Sequence, residues 1–336
     1  LCRCFVDSGY DVQMFTIQEG ELLAIELAKW NIDYLFSINP HSELLKASQI
    51  LDIPYIFWNV DTPHYQLYSK SMCSNNVFAF IYDKKIVSDL SQRGYKNIYY
   101  MPVAAPSKRL QEVIIEEDEK EYYDSPLSFI GSYGIENEYN MFGVDRYARK
   151  DLKEAIALIF ERQKKDLNRY LIRDSIDENF VQIFERDMGS LRTEDLLDKK
   201  EKLALILARK FNELERGELV RTLASQFDIN VYGDEGWKVL RAHRIHYKKY
   251  LEHFVEMPKA IKSSKININM TRVYVDSGLP MRIFDVLAVG GFLISNYKSD
   301  LEDLFSTGKD LIIYRDLKDL LELCKYYLEH PEEREE

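Results

Sequence analysis

Strand-like and helix-like stretches alternate through the first hundred residues, and this alternation narrows the fold more than any other property of the chain. Apolar, β-branched and aromatic runs over 12–17, 34–38, 55–59, 77–82 and 98–103 read as strands. Helical spacing fills 19–30, 42–51 and 84–92, with Asn31 and Gly94 as helix stops. Such an order calls for a parallel sheet with helices on its faces. The opening residues 1–12 read as a helix end, a glycine stop and a second strand, so a first strand is expected to be absent.

Beyond residue 110 the pattern changes. Glu112 to Asp124 is strongly acidic, which marks a linker. Strand signals resume at 127–130, 229–232, 266–270, 292–295 and 311–314, with short helices at 257–264 and 301–305. Almost everything from 140 to 224 fits helices, expected to face solvent with one apolar stripe each. With 336 residues, two domains are the natural division. The expected boundaries are 1–110, a linker over 111–126, a second domain over 127–318 with its insertion at 140–224, and a terminal helix over 319–336.

The net charge of −11 excludes nucleic acid as the main partner, because neutralising phosphates needs a basic surface. It also excludes broad docking on anionic membranes and leaves at most peripheral contact. No apolar run reaches the roughly 18–20 residues that cross a bilayer, and no signal peptide is visible. Cys2, Cys4, Cys73 and Cys324 have no zinc-type spacing, so reduced thiols in the cytoplasm are expected.

The segment from Asp276 to Ile294 carries the most chemistry. It reads as a loop, a helix opened by Pro280, a turn at Gly290-Gly291 and a buried strand. Proline suits the first helical turn, where its missing N–H has no partner to lose. The helix start favours phosphate. Arg282 and Asp285, three apart, share a face; the guanidinium can fork onto phosphate oxygens and the carboxylate can accept from vicinal hydroxyls. An ordinary surface ion pair is the competing reading of the same spacing.

Other strand ends carry polar groups. Asp61 or His64, after the 53–57 run, stands where parallel sheets bind ligands and is a candidate general base; the alternative is a helix cap and a packing imidazole. Gly131, Ser132, Tyr133 and Gly134 form a small-residue turn that lets a diphosphate approach. The segment from Val231 to Trp237, with Gly233, is either a pocket for a base or a plain strand exit. Asn267 and Asn269 share a strand face and need polar partners, and Arg272 follows as a second positive charge. His243, His246 and His253 are spaced as on one helical face, but the cations around them make a solvated face, not a metal site.

These residues resemble the GT-B glycosyltransferases of group 1 type, in particular the CgeB-like (spore maturation protein-like) glycosyltransferase family. Gly278-Leu279-Pro280 stands at the Gly-Phe-Pro of that family, and Asp285 at the second of its two glutamates. The first glutamate falls on Ser277, with Asp276 beside it. The likeness also takes in 33–103, 129–134 and 296–334. It implies an α/β GT-B fold, two Rossmann-like domains facing across a cleft, with a last helix crossing back to the first domain. It implies transfer of a sugar from a nucleotide-diphosphate donor, UDP being the expected nucleotide, to a hydroxyl of a protein or surface-glycan acceptor. No cofactor is expected, and without an Asp-x-Asp pair no metal. The insertion would be an acceptor module on this reading. Asp61 and His64 would be catalytic. Gly131, Ser132, Tyr133, Gly233, Asn269, Arg272, Asp276, Ser277, Gly278, Arg282, Asp285 and Gly290 would hold the donor. A nucleotide-sugar epimerase and a non-catalytic nucleotide-sugar-binding module are the alternatives.

Overall fold

The computed structural model describes residues 2–17 and 20–335. After a short helix, Cys2–Asp7, the first sheet begins. It holds β1 (Leu35–Ile38), β2 (Tyr55–Asn59), β3 (Val77–Ile81) and β4 (Ile98–Tyr100), all parallel and in sequence order. The connecting helices are α1 (Gly20–Leu27), α2 (Ser42–Leu51) and α3 (Lys84–Gln92). Tyr55, Phe57, Val77, Ala79 and Ile81 alternate inward and meet Leu23, Leu27, Leu44 and Leu90 from the helices. The strand expected at 12–17 does not form. Only Phe15 of that stretch packs against this core, edge-on to Trp30, while Met14 lies exposed. Apolar alternation there is not matched by a pairing partner, so it fixes no strand.

The acidic linker is held down: Lys262 donates to the carbonyls of Gln111 and Val113, and Lys259 pairs with Glu119 at 2.6 Å. The chain then enters β5 (Ser125–Ile130) and the helical insertion. Its main pieces are α4 (Glu138–Phe142), α5 (Lys150–Lys164), α6 (Glu178–Met188) and α7 (Lys199–Ala224). Instead of facing solvent with one stripe, α7 buries 17 of its 26 residues. Leu203 to Ala208 are buried in succession, which an amphipathic surface helix does not allow. An Asp198–Glu201 capping box starts it.

The insertion also ties the two sheets together. The Leu196 amide donates to the Tyr68 carbonyl, Tyr65 donates to Glu138 at 2.7 Å, and Arg93 pairs with Glu201.

The remaining elements are β6 (Ile229–Tyr232), β7 (Ile245–Lys248), α8 (Glu256–Ser263), β8 (Ser264–Asn269), α9 (Met281–Ala288), β9 (Leu293–Asn296), β10 (Ile312–Tyr314) and α10 (Leu317–Glu329). The second sheet is parallel, ordered β10-β9-β8-β5-β6-β7. Strand order reverses between β5 and β8, the doubly wound arrangement whose crevice at that point takes ligands. β7 corrects the expected histidine face: Ile245 and Tyr247 alternate into the core at a period of two. His246 points out to Asp228 at 2.9 Å, and His253 lies in a later loop. The helix α10 packs on α7, β8 and β10, burying Leu320 and Cys324 in the second core, so it braces the second sheet, and a short helix Pro331–Glu335 follows it. No described helix is long and apolar enough to cross a membrane.

Candidate functional site

A cleft of about 780 Å3 opens at the switch point. Its floor is the turn after β5: Ser132, Tyr133 and Gly134. The opposite wall is Asp61-Thr62-Pro63 after β2, so both sheets present their strand ends to one space. Gly134 adopts φ +88°, open to glycine and strained for other residues. Gly233 lies behind the turn, where an added Cβ would stand 2.2 Å from the Gly131 carbonyl. That carbonyl accepts from the Trp237 indole at 2.7 Å. The Tyr133 amide donates to Asp234 at 2.9 Å, and its ring tilts on Trp237 at 4.9 Å. Gly131, Tyr133 and Gly233 therefore shape the turn, and Ser132 faces the chemistry.

Two arginines converge on Ser132. Arg272, after β8, donates to its hydroxyl at 3.0 Å and to the Tyr274 hydroxyl at 2.7 Å. Arg216, from α7, donates to its carbonyl. Burial and the nearby Arg272 push the Arg216 guanidinium down to about 9. Among the described residues neither arginine forms an ion pair, and Arg216 Nε has no hydrogen-bond partner. Two neighbouring cations, Arg216 buried and Arg272 half-buried, repel each other, and Asp234 at the same turn offsets part of that without pairing with either. An anion between them would remove the repulsion.

Nothing in the motifs pointed to Arg216. The available signal was a polar stripe on an apolar helix: Arg209, Asn212, Glu213 and Arg216 fall at i, i+3, i+4 and i+7, and all four line the cleft.

A smaller pocket of about 220 Å3 adjoins the cleft through Ser132 and Asp234 and is lined by Tyr250, Leu251, His253, Met257 and Arg282. Arg282 meets Asp285 at 3.3 Å just behind this pocket, which Asp285 itself does not line, so the pair lies beneath the surface and not on it. Asp285 is 1% exposed and also faces His253 Nε2 at 3.3 Å. Arg282 touches Met257, its Nε lacks a partner among the described residues, and burial lowers its pKa. Pro280 is the cap of α9 and not its first helical residue. Gly290, at φ +75°, ends that helix at its far side and is exposed.

The loop before α9 is closed by the first sheet. Asp83, at the start of α3, accepts from the amides of Ser277 and Gly278 at 2.9 Å each and from the Ser277 hydroxyl at 2.7 Å. The same carboxylate caps α3 through Lys85 and Ile86. Gly278 packs so tightly that a Cβ would stand 2.9 Å from the Tyr82 ring. Asp276 is gripped by both Arg173 nitrogens, at 2.8 and 3.0 Å, and burial raises its pKa. Asn269 is likewise satisfied, donating to Thr271 and Ser295. None of these four lines either pocket.

On the opposite wall Asp61 accepts from Asn39 at 3.1 Å and lines the cleft. His64, three residues on, does not line it. Burial, with His41 nearby, lowers its pKa, so the imidazole is neutral, with Nδ1 unpaired among the described residues.

Residues 212–336 match a protein family described as glycosyl transferase-like. That segment begins on the polar face of α7 and holds Arg216, Arg272, Arg282 and Asp285. No curated protein is significantly similar in sequence. Among solved structures, Anabaena Alr3699/HepE in complex with UDP and glucose superposes with a TM-score of 0.54 at 9% identity, over 99% of this chain and 80% of that chain. The complexes of Alr3699/HepE with UDP-glucose and with UDP give 0.53 at 10% identity and 0.51 at 7%, with the same coverage. At such identity the likeness is one of architecture: a GT-B fold, two Rossmann-like units across a cleft. The sequence match is to a transferase family.

Proposed function

We propose that this protein transfers a glycosyl group from a nucleotide-diphosphate sugar to a hydroxyl of a protein or surface-glycan acceptor. The observation that carries the reading is the convergence of Arg216 and Arg272 on Ser132 at the switch point, with neither in an ion pair among the described residues. A diphosphate supplies the missing negative charge there. The nucleoside would enter the smaller pocket, where Asp285 accepts from the ribose and Arg282 meets the phosphates; the glycosyl group would project into the main cleft. UDP is the nucleotide we favour, supported by the UDP and UDP-glucose complexes of the structurally similar Alr3699/HepE. Membership of the CgeB-like family rests on Gly278-Leu279-Pro280 and Asp285 and is part of the same proposal.

In the reaction the acceptor oxygen forms a bond to the anomeric carbon, and the bond from that carbon to the diphosphate oxygen breaks. The electron pair leaves on the diphosphate, where two arginines and the Ser132 hydroxyl neutralise it. These cations can do what a divalent metal does elsewhere, which supports transfer without metal or other cofactor. The acceptor proton goes to Asp61, the carboxylate on the facing wall; the neutral His64 behind it is the second candidate base. We place the protein in the cytoplasm, which its four unpaired cysteines suit.

Calorimetric titration with UDP, GDP, ADP, CMP and TDP tests the reading. One diphosphate should bind in the micromolar range and lose about 100-fold affinity in Arg272→Ala. A folded protein indifferent to every nucleotide would defeat it.

A further inference from the structure

Resting on the glycosyl-transfer reading, we propose that Asn212 on the insertion helix α7 reads the sugar of the donor. The donor-loop residues Asp276, Ser277 and Gly278, expected from the resemblance to hold the donor, are not free. Ser277 and Gly278 are closed by Asp83, and Asp276 is held by Arg173. The recognition of the sugar must come from another wall of the cleft.

The polar stripe of α7 supplies it. Three of its four members are engaged. Arg209 pairs with Glu138 at 3.3 Å. Glu213 accepts from Asn137, Asn140 and Lys210 between 2.8 and 2.9 Å. Arg216 serves Ser132. Asn212 is different. Its Oδ1 accepts from the Val273 amide at 3.0 Å, and since that amide can only donate, the orientation of the side chain is fixed. Its Nδ2 is buried and has no hydrogen-bond partner among the described residues, although the residue lines the cleft at 4% exposure. An unpaired buried donor costs about 1–3 kcal/mol unless a ligand takes it up.

Spacing along the helix makes the ligand atom a sugar oxygen. Asn212 lies four residues, about 6 Å of helix rise, before Arg216. With the diphosphate at Arg216 and Arg272, that is the distance of a hexose ring from its phosphate. Because Nδ2 only donates, it selects a sugar presenting an acceptor there: a hydroxyl oxygen or an acetamido carbonyl.

The test compares UDP with UDP-glucose, UDP-galactose and UDP-N-acetylglucosamine by calorimetry on the whole protein, wild type and Asn212→Asp. This variant keeps the Val273 hydrogen bond and replaces the donor by an acceptor; a melting curve checks its fold, and Asn212→Ser serves if Asp unfolds it. The expected result is that UDP affinity changes by less than about threefold while the best UDP-sugar loses about tenfold. Equal loss of UDP and UDP-sugar would overturn the assignment, as would a wild type that binds no sugar nucleotide more tightly than UDP. A wild type that binds no nucleoside diphosphate at all would instead overturn the glycosyl-transfer reading beneath it.

Discussion

The turn at Ser132 and the loop at 276–278 are both polar, both near the junction of the sheets, and satisfied in opposite ways. In the loop the Asp276 carboxylate, the Ser277 hydroxyl and the Ser277 and Gly278 amides all have protein partners, in Arg173 and Asp83. At the turn, two guanidiniums share one serine without an ion pair, and Asn212 and Arg216 keep unpaired nitrogens among the described residues. The loop holds the molecule together, and the turn awaits something from outside. A motif tells which residues belong to a family; unspent hydrogen-bonding capacity tells which of them are open for a ligand.

The largest effect separating the two regions should come from Asp83→Ala. It removes one helix cap and leaves the Ser277 and Gly278 amides buried without acceptors. We expect a loss of about 3 kcal/mol or more by chemical denaturation, with UDP affinity in the folded protein within about threefold of wild type. If stability barely changed while nucleotide binding collapsed, the roles of loop and turn would have to be exchanged.

Arg216→Met against Arg173→Met comes next. Removing Arg216 takes away a buried charge that has no ion pair among the described residues, so the ligand-free protein should be no less stable, yet UDP affinity should fall about 100-fold. Removing Arg173 leaves Asp276 half-buried and unpaired and should lower stability by about 1–2 kcal/mol with UDP binding intact. Melting curves with and without UDP read both. The same direction in both variants would refute the contrast.

How far this was legible in the sequence depended on distance along the chain. The helices at 42–51 and 84–92 and the strand at 55–59 were placed to the residue, since each follows from local period and a nearby cap or glycine. β7 was missed because Ile245 and Tyr247 are flanked by charges that suit a solvated helix equally well. Burial of α7 was missed because its charged residues look solvent-facing until the fold shows them meeting Glu138, Ser132 and Asn140 from other elements. In the cleft, Ser132 and Arg272 follow strands, and strand ends are visible in a sequence. Arg216 reaches Ser132 from 84 residues away on a helix with no motif. Asp83 falls between the strand at 77–82 and the helix at 84–92, and its bond across 194 residues to Ser277 has no local trace.

The smallest effect concerns the back of α7. Burial raises the Glu215 carboxyl to about 8, and its Oε2 has no partner. Nearby Lys298, donating to the Val275 carbonyl, is lowered by burial to about 8. For Glu215 the folded state holds a proton that the unfolded state has lost between about pH 4.5 and 8, so stability should fall as pH rises through that window. For Lys298 the unfolded state holds the extra proton between about 8 and 10.5, so the slope should reverse there. Glu215→Gln should flatten the lower limb and leave the upper limb in place. UDP affinity at pH 7 should be unaffected, because Glu215 faces the loop side and not the cleft. A stability profile that is flat in the wild type from pH 5 to 8, or a variant that loses nucleotide binding, would show that the two faces of α7 are not divided between holding and binding.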